Sequence, residues 1–254
     1  MNHASETRPG VWKFPGPGTD AEWHQIAMHV IVPMCFESAD EAIEYPYVIM
    51  CLSGCLKFTP GTMDRAAVRG YLDVVQWLHK NRTEGCTAEA MNWAAAAGHL
   101  EMLRWLHENR TEGCTVDAMN WAAKNGHLDV VQWLHRNRTE GCTVEAMNRA
   151  AAMGHLDVVR WLHENRTEGC TVGAMNSAAE YGHLNVVRWL HANRAEGCTM
   201  WAMNWAAKNG RLDVVKWLYK NRTERCVMWA RDWAAANGRS DVARWLEAPD
   251  DTLG

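Results

Sequence analysis

Residues 143–170 read TVEAMNRAAAMGHLDVVRWLHENRTEGC, and this stretch decides the fold. Close copies precede and follow it without a gap, and a glycine recurs at the same place in every copy from Gly70 to Gly238. Self-similarity at a fixed period is the signature of a repeat protein, in which each unit buries its apolar face against its neighbours. The sequence therefore predicts seven units, which are residues 59–86, 87–114, 115–142, 143–170, 171–198, 199–226 and 227–254.

Each unit is predicted to contain two helices. Thr143 is suited to the N-cap of the first helix, Glu145 to its first turn, and Gly154 to the break that follows it. A second helix then runs from Leu156 to about Asn165, and the remaining TEGC is a short turn. The predicted fold is all-α, a solenoid of stacked helix-turn-helix units.

The second helix of each unit is predicted to be covered on most sides, because only Asp157, Arg160 and Glu164 form a polar stripe along it. The first helix has a narrow face of small side chains around Ala150, which lets a neighbouring helix approach closely. The tryptophans that recur in every second helix are predicted to be core residues. They are Trp77, Trp105, Trp133, Trp161, Trp189, Trp217 and Trp245.

The stretch AAAMGHLDVVRWL, residues 150–162, resembles the ankyrin repeat in its paired alanines, its GHL turn and the apolar residues that follow. The resemblance extends from residue 59 to about residue 247. The unit departs from the family by reading EAMN at residues 145–148 in place of TPLH, and it is about five residues shorter than the usual repeat. The missing residues lie between one unit and the next, so we predict that the β-hairpin finger of ordinary ankyrin repeats is reduced to a turn at TEGC.

Both ends of the chain differ from the repeat. Residues 1–58 do not align with it and are predicted to form a divergent N-terminal cap, whose first part, rich in Pro and Gly, is disordered. Residues 40–56 have enough apolar content to pack on the first unit. In the last unit Ser240 and Glu247 replace the usual Leu and His, which gives the polar outer face that a terminal repeat needs.

The charge and composition bear on partners and compartment. A formal net charge of −4 gives no general attraction to nucleic acid or anionic lipid. The longest apolar run, residues 47–56, is about half as long as a membrane span. The N-terminus lacks the pattern of a secretory signal. We expect a cytoplasmic monomer that does not bind membranes, with the nucleus as the alternative compartment, and free thiols at its nine cysteines.

One Cys and one His recur at fixed positions of the unit, which suggests metal binding or catalysis as alternatives. The cysteines are Cys86, Cys114, Cys142, Cys170, Cys198 and Cys226, and the histidines are His79, His107, His135, His163 and His191. A structural zinc site usually takes close ligand pairs, and successive cysteines would lie about 10 Å apart. A catalytic pair is expected to be singular and oriented by a third group. The pattern favours buried thiols and packing imidazoles, with no cofactor and no catalytic residue.

Positions that change from unit to unit are the candidates for partner contact. On the first helix they are spaced i, i+4, i+7 and i+8, which places them on one face. Trp, Tyr, Arg and Met are enriched in protein contact patches, and the ankyrin resemblance implies that first helices line the concave binding face. The candidate partner-binding residues are Trp93, Trp121, Arg149, Met153, Tyr181, Trp201, Trp205, Trp229 and Trp233.

The predicted function is a protein-binding scaffold or adaptor. One alternative is binding of single-stranded nucleic acid, because the variable face has aromatic and basic members. Another is a metal or redox role for the recurring Cys and His. A structural alternative remains for part of the face, in which neighbouring first helices pack through Trp93, Trp121, Trp205 and Trp233.

Overall fold

The computed structural model describes residues 38–40 and 56–248, and within them the chain forms fourteen helices in seven consecutive pairs, without a strand. The first helices of the pairs are α1 (Pro60–Arg69), α3 (Ala88–Ala96), α5 (Val116–Lys124), α7 (Val144–Ala152), α9 (Val172–Tyr181), α11 (Met200–Lys208) and α13 (Val227–Ala236). The second helices are α2 (Leu72–Asn81), α4 (Leu100–Asn109), α6 (Leu128–Asn137), α8 (Leu156–Asn165), α10 (Leu184–Asn193), α12 (Leu212–Asn221) and α14 (Ser240–Glu247). The all-α solenoid is confirmed.

The helix ends of each unit follow from capping residues. At the start of α7 the Thr143 hydroxyl accepts a hydrogen bond from the amide of Glu145, as an N-cap does. At its end Gly154 takes a positive φ of 81°, and the next amide, that of His155, donates back to the carbonyl of Ala150 at 3.0 Å. The predicted cap, the glycine break and the end of the second helix at Asn165 are confirmed.

The connection between units is a short turn. Between α8 and α9 the chain is extended at Arg166 and takes a positive φ at Gly169 before Thr171 caps the next helix. No strand forms in any of these connections, all of which lie in the described part of the chain. The prediction that the finger is reduced to a turn is confirmed.

The core consists of small and aliphatic side chains from both helices. In the fourth unit Ala150, Ala151, Val158 and Val159 are fully buried. The tryptophans of the second helices are only half-buried, so the prediction that they are core residues was wrong. Each indole lies at the margin of the core, where an aromatic ring of the preceding unit covers one side; Phe58, His79, His107, His135, His163, His191 and Tyr219 supply these rings.

The units stack mainly through their first helices. Each first helix packs along the first helix of the next unit, whereas neighbouring second helices touch only lightly. The small side chains of the first helices allow this close approach.

The described residues before the first unit bond to each other and to that unit. Ala39 is buried and its amide donates to the carbonyl of Lys57 at 2.9 Å. The carboxylate of Asp40 accepts hydrogen bonds from the hydroxyls of Thr59 and Thr62. The rest of residues 1–58, including the predicted disordered part, and residues 249–254 lie outside the described residues. Within the described part, no helix has the length and apolar content needed to cross a bilayer.

Candidate interaction surface

An Asn–Thr bridge joins successive units at positions that repeat without change. In the second unit Asn92 donates to the hydroxyl of Thr115 at 3.1 Å and accepts from its amide at 2.9 Å. Asn120, Asn148 and Asn176 make the same pair of bonds to the N-cap threonine of the following unit. In the first unit Asp64 replaces the Asn and bonds Thr87. This bridge aligns each first helix with the next.

A His–Arg bridge joins the outer ends of the units. Nδ1 of His79 lies 3.2 Å from Nη1 of Arg110 in the next unit, and four further His–Arg pairs repeat this contact at 3.2 to 3.3 Å. Because a guanidinium can only donate, Nδ1 is the acceptor. Arg110 also forms an ion pair with Glu112, so one guanidinium ties together two units and the turn between them. Both side chains of this ion pair are partly buried.

The pKa values of the recurring Cys and Glu side chains are shifted in opposite directions. Burial raises the pKa of the Cys86 thiol to about 11, so it stays protonated at neutral pH. Burial also raises the pKa of Glu112, but hydrogen bonds from Arg110 and from backbone amides outweigh it and hold the value at about 2. A thiol of this kind is a poor nucleophile and a poor metal ligand. No three His, Cys, Asp or Glu side chains of the described residues converge in a group that would hold a metal ion.

The histidines of the GHL turns also reach the preceding unit. Nε2 of His99 lies 3.2 Å from the carbonyl oxygen of Val68, and its ring covers Gly70. Burial lowers the pKa of His183 at the equivalent position. Arg211 and Arg239 cover the glycines of the preceding turns in the last two units.

The variable face of the first helices carries the exposed apolar surface of the molecule. Six large apolar side chains are exposed in the described part of the chain, and each lies on a first helix or directly after one. They are Trp93, Met153, Val172, Tyr181, Met228 and Trp229. Four of the six are predicted partner-binding residues. The second helices have no large apolar side chain of comparable exposure among the described residues.

The tryptophans of this face form two groups. Trp93 and Trp121 contact each other across neighbouring first helices, with ring centroids 4.5 Å apart. Near the other end Trp201 stacks on Trp205 at 5.6 Å and contacts Trp233 of the last unit at 5.7 Å. Trp93, Trp121 and Trp233 pack between neighbouring first helices, as the structural alternative holds, whereas Trp205 contacts Trp201 of its own helix. Trp93 remains 43% exposed and the other four are half-buried. Packing of these tryptophans between helices is therefore compatible with a role in partner contact.

Between the two tryptophan groups the face is more polar. Arg149 is exposed and pairs with Glu145 at 2.9 Å on the same helix. Met153 and Tyr181 follow, with 41% and 47% of their surface exposed. The structure thus brings the predicted residues onto one side of the stack, in an apolar, a polar and a second apolar zone.

At three variable positions the side chain packs against or bonds to the neighbouring unit and is not available to a partner. Asn125 donates to the carbonyl of Ala96 at 2.7 Å, and Asn209 donates to the carbonyl of Glu180 at 3.2 Å. Ala96 itself is buried. Comparison of the units in the sequence could not distinguish these positions from partner-contact positions. A backbone carbonyl does not require one particular residue type beside it, so these positions vary among the units as contact positions do.

Comparison with known proteins agrees with the architecture. Models described as ankyrin repeats match residues 63–107 and 91–135, and residues 119–200 and 147–232, which together span well over half of the chain. The crystal structure of the human ASB11 ankyrin repeat domain is similar, with a TM-score of 0.54 and 18% identity over 74% of this chain and 98% of that chain. No curated protein matches the sequence. Ankyrin repeats are generally scaffolds for protein–protein interaction, and the chain belongs to the ankyrin repeat family.

Proposed function

We propose that this chain is a scaffold that holds a partner protein against the variable face of its first helices. The observation that carries the proposal is the location of the large exposed apolar side chains, all of which, among the described residues, lie on a first helix or directly after one. Scattered exposed apolar residues are normal on a monomer, but a set confined to one face marks an interaction site. The ankyrin resemblance implies that the first helices line the concave side, where several units can contact one partner at once.

The contrast between repeated and variable positions supports this proposal. Repeated positions are occupied by the core and by the Asn–Thr and His–Arg bridges, which leaves them little freedom to contact another molecule. The variable positions make few bonds within the stack and include Trp, Tyr, Arg and Met, which dominate binding energy at protein interfaces. We also propose that residues 1–58 cap the first unit, and the bonds from Thr59 and Thr62 to Asp40 support this role.

The test compares two triple variants in capture of partners from native lysate. One variant carries Trp93→Ala, Tyr181→Ala and Trp229→Ala, which removes three exposed side chains from the first-helix face. The control carries Arg104→Ala, Arg160→Ala and Arg188→Ala, which removes three exposed side chains from second helices. Mass spectrometry should find proteins that are retained by the wild type and the control and lost from the first-helix variant.

Circular dichroism must show equal helicity for both variants before the capture is interpreted. Equal retention by the two variants, or a loss confined to the second-helix control, would contradict the proposal.

A further inference from the structure

The last two units differ from the others in what they place on the first-helix face. Their variable positions hold Trp201, Trp205, Trp229 and Trp233, and Met228 beside them is 60% exposed. In the second, third and fourth units the first of these positions is instead a carboxylate, Glu89, Asp117 or Glu145. The aromatic group therefore lies where acidic side chains are missing.

The charge around this aromatic group is positive. The first helices and turns of the last two units, residues 199–211 and 227–239, contain Lys208, Arg211, Arg231 and Arg239 against a single carboxylate, Asp232. The equivalent residues of the second to fourth units carry three carboxylates and two cations. Asp232 pairs with Arg231 at 2.8 Å, which leaves the other three cations without a carboxylate in these segments.

The cations border the rings directly. Nζ of Lys208 lies 5.9 Å from the ring centroid of Trp233, and Nε of Arg239 donates to the carbonyl of Lys208 at 3.3 Å. Both cationic residues are exposed. The adjoining helices contribute the carboxylates of Glu180, Asp213, Asp241 and Glu247, of which the last three belong to second helices and Glu247 lies near enough to act on Arg231. An apolar surface bordered in this way is complementary to apolar side chains flanked by acidic ones.

We propose that the last two units bind an acidic, extended peptide segment of a partner protein, with its apolar anchors on the tryptophans. This rests on the proposed function and specifies its partner. Neighbouring first helices lie about 10 Å apart. A peptide in the extended polyproline II conformation advances about 3.1 Å per residue with three residues per turn, so anchors three residues apart lie on one side and match successive units. A nucleic acid strand is disfavoured, because a charge at every nucleotide calls for a continuous basic surface, whereas the cations here are interspersed with Glu180 and Asp232 and suit separate acidic side chains.

The test measures fluorescence anisotropy of three fluorescein-labelled peptides of equal length. Each has Leu or Trp at every third position, with Asp and Glu, Lys and Arg, or Ser and Gln between. The acidic peptide should bind about tenfold more tightly than the basic one at low salt, with a smaller ratio at high salt. Lys208→Glu should remove most of that preference, and Lys124→Glu, at the equivalent position of the third unit, should leave it unchanged. Trp229→Ala should weaken binding of the acidic peptide more than Trp93→Ala.

The proposal is overturned by equal or tighter binding of the basic or neutral peptide, by an oligouridine that outcompetes the acidic peptide, or by no binding up to about 1 mM. Failure here is distinguishable from failure of the scaffold function. If the first-helix triple variant still loses captured proteins while the peptides show no charge preference, the face binds a partner of a different chemistry.

Discussion

The central junctions and the last junction of the stack are built differently. Between the second and third units Asn92 bonds Thr115, and the guanidinium of Arg138 bonds His107. Between the sixth and seventh units Asn204 has no hydrogen-bond partner although it is fully buried. Val227 stands where the other units have Thr, so the hydroxyl that would accept from Asn204 is absent, and the amide of Val227 does not bond the side-chain oxygen of Asn204.

The last junction depends on aromatic contacts instead. Trp201 contacts Trp233, and Tyr219 lies edge-on to Trp245 at 5.3 Å in the way that a histidine does elsewhere. The sequence has Asp250 where an arginine would continue the His–Arg bridge. The difference shows that the repeated polar residues fix the register of the stack, whereas the last unit is held by the same tryptophans that form the proposed peptide site.

Substitution of a turn glycine should cost more stability in the central units than in the last unit. Gly126 has a φ of 79°, and a Cβ on it would lie 2.6 Å from the ring of His155 in the next unit. Gly238 has nearly the same conformation with no atom within 4 Å. Gly238→Ala should therefore cost only the left-handed strain, about 1 kcal/mol, and Gly126→Ala about 3 kcal/mol because the ring must also move. Urea denaturation measures both; equal costs would show that the ring does not constrain the turn.

Replacing each of two buried asparagines by leucine should change the free energy of unfolding in opposite directions. Asn92→Leu should lower the free energy of unfolding by about 2 kcal/mol, because it leaves the amide of Thr115 without a partner. Asn204→Leu should raise it by about 1 kcal/mol, because an unpartnered amide is replaced by an apolar side chain of similar size. Both side chains are fully buried, so burial does not confound the comparison. Destabilisation by both would mean that Asn204 has a partner in solution.

A threonine at residue 227 should give the last junction the Asn–Thr bridge that the central junctions have. Val227→Thr should stabilise the chain by about 1 kcal/mol, because the hydroxyl can cap α13 and bond Asn204. The reciprocal change Thr115→Val should cost a similar amount. Thermal or chemical denaturation of the two variants checks this, and no gain from the threonine would show that α13 begins too early for the cap to form.

The acid sensitivity of the stack should come in part from the ion pair between Arg110 and Glu112. The pKa of Glu112 is about 2, below its unfolded value of about 4.3. Its ionised form therefore adds stability above about pH 5, and this contribution is lost as the pH falls toward 2. Glu112→Gln should lose less than about 1 kcal/mol at neutral pH, and the difference from wild type should vanish in acid. Glu101→Gln, at a carboxylate that is 77% exposed, serves as the control.

The units, their helices and their caps could be predicted from the sequence because each depends on local spacing. Thr143, Gly154 and Asn165 mark helix ends by their own chemistry. The Asn–Thr bridge spans 23 residues and the His–Arg bridge 31, so both form only between units. Their recurrence in the central units was visible, but recurrence does not distinguish a core residue from a bridging one.

The location of the tryptophans could not be read from the repeat for the same reason. Trp161 recurs in every unit because it contacts a ring of the preceding unit at the margin of the core, and a core residue would recur in the same way. Trp93 and Trp121 vary among units and yet contact each other. Variation therefore indicates freedom from the stack only where no neighbouring variable residue compensates.

Hydrogen–deuterium exchange of the chain with a captured partner tests the division between repeated and variable positions most directly. Added protection is predicted in the first helices, above all in α11 (Met200–Lys208) and α13 (Val227–Ala236). The second helices α10 and α12 should exchange as they do in the free chain. Protection that appears on α10 and α12 while α11 and α13 stay unchanged would contradict the account.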